Sequence, residues 1–347
     1  MGAERTIKVG ILTAPHIEYE QREHTFLLKN VRIGIGFHWD RTEDQEFAGS
    51  LEIKPTPNPS LEGGELWQAA INTIDLEDYL CSVISSEMNA NSPMELLKAH
   101  AVISRSWALR AMQKPNHEGF DVCADDHCQR YEGLRRMSER AVEAVRATAG
   151  QVLLYGDEIC DCRYYKCCGG KTEVWRTCWE DIDVPYIRSV TCDYCKSPSP
   201  KILRLVLNDY DQETKDFRDW QVVYADEELD DVVREKSGID FGHIMDLVPL
   251  QRGASGRICE LKIVGTKHSE VIGKELKIRL WLSRTCLYSS WFEVSHENGQ
   301  WTLTGHGWGH GAGLCQIGAA VMASEGKTYE EILHYYYAGS RLSAPTR

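Results

Sequence analysis

Four groups of residues carry types and spacings that can do chemistry. The first is Ser85-Ser86-Glu87-Met88, a single carboxyl between two segments of helical periodicity. Val83, Ile84, Met88 and Pro93 stand around it in the sequence. Desolvation among such neighbours raises a carboxyl's pKa, so that the group keeps its proton near neutrality and can deliver it to a leaving oxygen. The competing reading is a solvated carboxylate at a helix end. The second group is His117, Cys123, His127 and Cys128, all within 12 residues. Two imidazoles and two thiolates are a full tetrahedral set for zinc, and an ion with four protein ligands is structural rather than catalytic. The competing reading is a loop with a buried cysteine and a solvated histidine.

The third group is the stretch GHGWGHGAGLCQIGA (305–319). Its glycines let backbone approach a ligand, Trp308 offers a flat face for a sugar ring, and His306, His310 and Gln316 supply hydrogen-bonding groups. A tight structural loop with its histidines satisfied in the core is the alternative. The fourth is a run of cysteines: 160, 162, 167, 168, 178, 192 and 195, seven of the 13 in the chain. Cys192-x2-Cys195 has metal spacing but no clean partner pair, so disulfides or inert buried thiols are favoured there over a second metal.

These groups need elements to position them. Residues 7–13, 24–36 and 47–53 read as β segments, with turns at Asn58-Pro59 and Gly63-Gly64. Leu76, Tyr79, Leu80, Val83 and Ile84 recur at helical spacing behind an N-cap at Asp75. A second helix is predicted from Ser92 as N-cap, with Pro93 at its first position and Glu95 closing a capping box, running to about Met112. A third runs from near Ser138 to near Gly150, followed by a strand at 151–155, a turn at Gly156-Asp157 and a second strand at 159–167. A helix is predicted near 226–236, another to about Ser324, and a last one capped by Thr328 and Glu331. The fold class is α+β: a mixed helical catalytic core with β segments and a second, smaller β-rich domain or insertion. The divisions are a β-rich segment at 1–66, the core with Glu87 and the Cys/His loop at 67–195, a β-rich insertion or second domain at 196–295, and a C-terminal part at 296–347 that completes the core.

Composition removes several classes. The 347 residues carry 39 Lys+Arg against 52 Asp+Glu, a formal charge of -13. A chain this acidic lacks the basic face that phosphate neutralisation needs, so nucleic acid is excluded as a partner. No run of 18 apolar residues exists to span a membrane. The phosphate loop suggested by Gly326-Lys327-Thr328 fails because Val321 stands where its first glycine belongs, GASGR (253–257) lacks the last glycine of a nucleophile elbow, and there is no HExxH.

Taken in order, LEDYLCSVISSEMNANSPMELLKAHAVISRSWAL (76–109), FDVCADDHCQRYEG (120–133), CCGGKTE (167–173), GKELKIRLWL (273–282), SSWFEV (289–294) and the segment 305–342 resemble the stage II sporulation protein D / amidase-enhancer (LytB-type) family of cell-wall proteins. Two departures stand out: Cys168 occupies a position where the family often has Ser, and residues 1–60 carry no matching motif. The resemblance implies a lytic transglycosylase that cleaves the MurNAc–GlcNAc bond of peptidoglycan strands lacking stem peptides, with Glu87 as the single acid/base and a 1,6-anhydro product. It also implies zinc on His117, Cys123, His127 and Cys128. On the same basis Ser86, Arg105, Tyr131, His306, His310 and Gln316 are expected to line the glycan groove. The expected compartment is the cell envelope, with signal or anchor not present in this chain, and a cell-wall amidase is a candidate partner. Two other classes compete: a non-catalytic glycan-binding enhancer of such an amidase, and a thiol enzyme using Cys315 or Cys128.

Overall fold

The computed structural model describes residues 5–35, 40–57, 66–114, 116–125, 127–196, 198–207 and 218–343. The fold is α+β. The chain divides into two compact units: one of residues 1–162, 205–208 and 340–347, the other of 163–204 and 209–339. The first division falls between Cys162 and Arg163, inside the span that the sequence pattern set at 67–195.

The first unit opens with β1 (Thr6–Ala14), β2 (Tyr19–Gln21), β3 (Thr25–Ile33), β4 (Arg41–Ala48), β5 (Ser50–Pro57) and β6 (Leu66–Asp75). The β segment expected at 47–53 is two strands, broken at Gly49. That residue has φ +87° and a Cβ there would lie 2.4 Å from the Thr73 carbonyl, so only glycine fits. The turns expected at Asn58-Pro59 and Gly63-Gly64 lie outside the described residues. β6 was not anticipated; it pairs antiparallel with both β1 and β5, in the register Ile7↔Ile74 and Ile53↔Ala70.

Three helices follow. α1 (Leu76–Glu87) begins where Asp75 accepts from the Glu77 N–H at 2.8 Å and the Asp78 N–H at 3.4 Å, the cap the sequence predicts. α2 (Met94–Gln113) starts later than expected. Its N-cap is Pro93, and the Ser92 hydroxyl donates instead to the Leu205 carbonyl at 2.9 Å, so the capping box does not form. α2 is buried on most sides, including Leu96, Leu97, Val102, Ile103 and Ala108. α3 (Glu139–Ala147) is capped by Ser138 as predicted, and Gly150 takes φ +70° just beyond its end. β7 (Val122–Cys123) adds to the first sheet in the order β5-β6-β1-β7, parallel to β1. β8 (Val152–Tyr155) pairs with β9 (Glu158–Ile159) and with a strand at Arg341–Ser343.

The second unit contains β10 (Tyr164–Tyr165), α4 (Trp175–Cys178), α5 (Pro200–Val206, divided after Arg204), β11 (Asp219–Ala225), α6 (Asp226–Ser237), β12 (Ile244–Arg252), β13 (Ile258–Gly265), β14 (Ser269–Ile272), α7 (Glu275–Trp281), β15 (Phe292–Glu297), β16 (Gln300–His306), β17 (Leu314–Cys315), α8 (Gln316–Ser324) and α9 (Tyr329–Tyr336). Sheets β11-β16-β15 and β12-β13-β14 enclose a core that includes Trp220, Phe241, Ile263, Phe292 and Trp301. β10 and β17 form a short parallel pair, Tyr164↔Leu314 and Tyr165↔Cys315. α9 carries the predicted capping box between Thr328 and Glu331.

Because Asp75 satisfies two otherwise orphaned N–H groups of the helix that ends in Glu87, Asp75→Ala should cost about 1 kcal/mol of stability. Urea denaturation of the purified variant checks this; an unchanged midpoint would contradict it.

Candidate active site and metal centre

Glu87 is the last residue of α1 and is half-buried. Its Oε1 accepts a hydrogen bond from the Arg130 backbone N–H at 3.0 Å. That contact belongs to a longer seam. Tyr79 donates its hydroxyl to Gln129 Oε1 at 3.1 Å, the Glu132 N–H donates to Ser86 Oγ at 3.2 Å, and Ser82 Oγ donates to the Gly133 carbonyl at 2.6 Å. Tyr79, Ser82, Ser86 and Glu87 recur at helical spacing, so one face of α1 presents them together to residues 129–133. Each bond contributes about 0.5–1.5 kcal/mol, and together they fix the segment's register against the helix.

The segment just before this seam carries the Cys/His cluster. One ligand atom from each of His117, Cys123, His127 and Cys128 lies within 4.8 Å of every other. His117 Nε2 is 3.1 Å from Cys128 Sγ, and His127 Nδ1 is 3.4 Å from Cys128 Sγ and 3.9 Å from Cys123 Sγ. The Cys128 sulfur, then His127, hold the Cys123 thiol down at about 4 against the opposing effect of burial. Soft thiolates with imidazoles at this separation fit a tetrahedral zinc ion. The scaffold is the first sheet. Cys123 lies opposite Gly10 on β1, and the Ala124 N–H donates to the Gly10 carbonyl at 3.0 Å. Phe120 stacks on His117 with ring centroids 4.7 Å apart, and a Cβ at Gly10 would meet the Phe120 ring at 2.6 Å.

Three of the residues expected to contact glycan are framework. Arg105 is 1% exposed. Its guanidinium grips Glu77 through two bonds of 2.7 Å and also donates to the carbonyls of Gln151 and Val145, so it ties α2 to α1, to α3 and to the turn after α3. Ser86 is buried and donates to the Ser82 carbonyl at 2.8 Å while receiving Glu132. Tyr131 is buried with its hydroxyl on Asn72 Oδ1 at 2.7 Å. Sequence reading passed over Glu132, a buried carboxyl 2.6 Å from Arg136, whose pKa is raised foremost by burial.

The glycine-rich loop belongs to the second unit. His306 keeps 41% of its side chain exposed, with Nδ1 2.6 Å from Asp219. His310 is largely enclosed. Its Nε2 lies 3.0 Å from the Tyr164 carbonyl and its Nδ1 accepts from the Ala312 N–H, while burial, followed by Arg163, Arg279 and Arg257, holds its pKa well below the ordinary imidazole value. A neutral His310 accepting at Nδ1 is a structural tautomer. Gln316 is 2% exposed at the start of α8, and Trp308 is 7% exposed with its backbone paired to Cys167, so neither ring nor amide is offered as a platform.

The glycines have a packing cause that the sequence did not disclose. Arg257 is fully buried beneath the loop, donating to the Gly309 carbonyl at 3.2 Å, Ser255 Oγ at 3.0 Å and the Cys168 carbonyl at 3.4 Å. A Cβ at Gly311, where φ is +89°, would stand 2.5 Å from the guanidinium carbon. Beside it the buried Glu173 carboxylate accepts from the N–H groups of Val174, Ala254 and Ser255 and from the Ser255 hydroxyl at 2.6 Å. The GASGR segment is thus a cradle for a carboxylate.

Residues 67–155 match the family described as stage II sporulation protein. Residues 173–313 match a second family, a domain of unknown function (DUF8618). The chain is 26% identical over 331 residues to stage II sporulation protein D of Bacillus subtilis (strain 168), covering 86% of this chain and 88% of that one. It is 29% identical over 296 residues to an uncharacterized protein of Brachyspira hyodysenteriae, covering 85% of this chain and 71% of the other. It is 25% identical over 297 residues to an amidase enhancer of Bacillus subtilis, 76% of this chain but 40% of that protein.

Gly311→Ala combines a left-handed φ with a clash against a buried guanidinium, and should cost about 1–3 kcal/mol. Thermal denaturation of the purified variant tests this, with Glu325→Ala, an exposed position just beyond α8, as the neutral control.

Proposed function

We propose that this protein acts on the bacterial cell wall as a lytic transglycosylase, cleaving the MurNAc–GlcNAc bond of peptidoglycan strands with Glu87 as its single acid/base. The observation that carries the reading is the carboxyl of Glu87, half-buried and oriented by the Arg130 N–H at 3.0 Å. The matched stage II sporulation domain supports it, as does the similarity to stage II sporulation protein D and to an amidase enhancer. Cleavage begins when protonated Glu87 gives its proton to the glycosidic oxygen, and an oxocarbenium-like sugar forms. The resulting carboxylate then takes the proton of the sugar's own 6-hydroxyl, whose oxygen closes on the anomeric carbon as a 1,6-anhydro ring. A hydrolase normally uses a second carboxylate to manage water or a covalent intermediate; ring closure needs neither. A glycan lacking stem peptides suits a chain of net charge -13 better than a polyanion does. The site of action on this reading is extracytoplasmic.

His117, Cys123, His127 and Cys128 would hold a zinc ion in a structural role. Zinc supplies no step; it would fix the loop whose continuation places the Arg130 N–H on Glu87.

A second reading has one observation behind it, the similarity to a protein named amidase enhancer. In it the chain binds glycan and stimulates a separate amidase without cleaving.

Glu87→Gln keeps the hydrogen-bond acceptor and removes the acid, so strand cleavage should fall at least about 100-fold while the fold and the metal content are unchanged. Mass spectrometry of digested glycan strands should find 1,6-anhydro ends with the unaltered protein. Reducing ends would refute the transglycosylase step, and full activity in Glu87→Gln would refute the acid. A protein that leaves strands intact yet accelerates an amidase would establish the second reading.

A further inference from the structure

We propose that Cys168, Cys192, Cys195 and Cys315 form a second, fully buried metal site that binds one zinc ion through four thiolates. The four sulfur atoms lie within 4.8 Å of one another, and all four residues are buried. They come from three places far apart in the sequence: the end of the KCC segment, a 3-10 turn at Asp193–Cys195, and the junction of β17 with α8. All belong to the second unit.

Size decides between the candidate occupants. With a zinc–sulfur bond of about 2.3 Å, a regular tetrahedron has sulfur–sulfur edges of about 3.8 Å. A set confined within 4.8 Å has the dimensions one ion would impose. An iron–sulfur cluster distributes its thiolates over separate irons and needs them farther apart. Disulfides are the other use of such cysteines. No cysteine here is in one, and the Cys168 and Cys195 sulfurs stand 3.0 Å apart, against about 2.05 Å for the covalent bond.

The surroundings fit thiolates better than thiols. The Gly170 N–H donates to Cys168 Sγ at 3.4 Å, while the N–H groups of Cys168 and Gly318 donate to Cys315 Sγ at 3.3 Å and 3.4 Å. The Tyr336 hydroxyl lies 3.5 Å from Cys192 Sγ. N–H groups directed at sulfur are the supporting bonds that orient metal-bound thiolates and spread their charge. Space is close as well. A Cβ at Gly318 would come within 3.0 Å of Cys192 Sγ and 2.3 Å of the Tyr336 hydroxyl. Cys192-x2-Cys195 supplies two ligands from a single tight turn, the usual chelating half of a four-cysteine zinc site. The second half is split between Cys168 and Cys315, which is why spacing alone does not reveal it.

Binding displaces the four thiol protons to solvent and leaves a closed centre with no open position, so the ion's role is structural. It would clamp the end of the glycine-rich loop, through Cys315, to the segments at 168 and 192–195. A fifth sulfur, Cys167, adjoins Cys195 and Cys315 but lies outside the set.

The test is metal stoichiometry of the full chain, purified with zinc and measured by elemental mass spectrometry. The unaltered protein should hold two zinc ions. His117→Ala/Cys128→Ser and Cys192→Ser/Cys195→Ser should each hold one, and Cys167→Ser should keep two. Cobalt exchanged into His117→Ala/Cys128→Ser, in which the four-cysteine set is intact, should give strong thiolate-to-cobalt charge-transfer absorption. That measurement remains decisive if Cys192→Ser/Cys195→Ser fails to fold. A single zinc in the unaltered protein that is lost in His117→Ala/Cys128→Ser, loss of an ion in Cys167→Ser, absence of the cobalt band, a coloured iron–sulfur cluster, or disulfides among the four cysteines after alkylation in denaturant would each overturn the site.

Discussion

The bond from the Arg130 N–H to Glu87 joins the end of α1 to the segment that follows the Cys/His loop, and the site proposed here depends on it. A glutamate at a helix C-terminus receives no help from the helix, whose exposed carbonyls repel it. Something outside must hold it, and the Arg130 backbone N–H is one such contact. Arg130 is two residues past Cys128, and the intervening Gln129 is fixed to Tyr79. The order along the chain is therefore cluster, anchor, donor. A disturbance of the loop at His117–Cys128 reaches the carboxyl through two covalent residues, with no remote relay required.

The same economy governs the second unit. The glycines at 305–313 look like a cradle for a ligand, yet the atoms nearest them are protein. Arg257 lies under Gly311 and the Arg163 carbonyl faces Gly313. A buried guanidinium is costly unless its donors are met, and here the Gly309 carbonyl, the Ser255 hydroxyl and the Cys168 carbonyl meet them, leaving no room for a side chain at Gly311. Glu173, beside it, is satisfied by four donors from neighbouring backbone and Ser255.

What the sequence disclosed was local. The Asp75 cap, the Ser138 cap and the Thr328–Glu331 box depend on residues two or three apart, and all form. The His117–Cys128 cluster was readable because its ligands are close in sequence. Ser92 shows the limit: it has the right type and spacing for a cap, but Pro93 takes a non-helical backbone conformation and the hydroxyl turns to Leu205, over a hundred residues away. Arg105 failed likewise, since nothing in its helix announces Glu77 as its partner. β6 was hidden because Ala69, Ala70, Ile71 and Asn72 are all buried, so no clean alternation marks the strand. Cys315 stands 120 residues beyond Cys195 in the numbering, and only the tertiary fold shows that they share a centre.

One pairing described above bears on modularity. β7 is only Val122–Cys123, and its ladder partner is β1, at the opposite end of the first unit's sequence. The matched domain of residues 67–155 therefore does not contain the strand against which Cys123 is registered. Cut out as a fragment, that domain would keep every ligand of the loop and forfeit the template that gathers them. β1 is thus part of the scaffold of the Cys/His loop, although it lies outside the matched stretch.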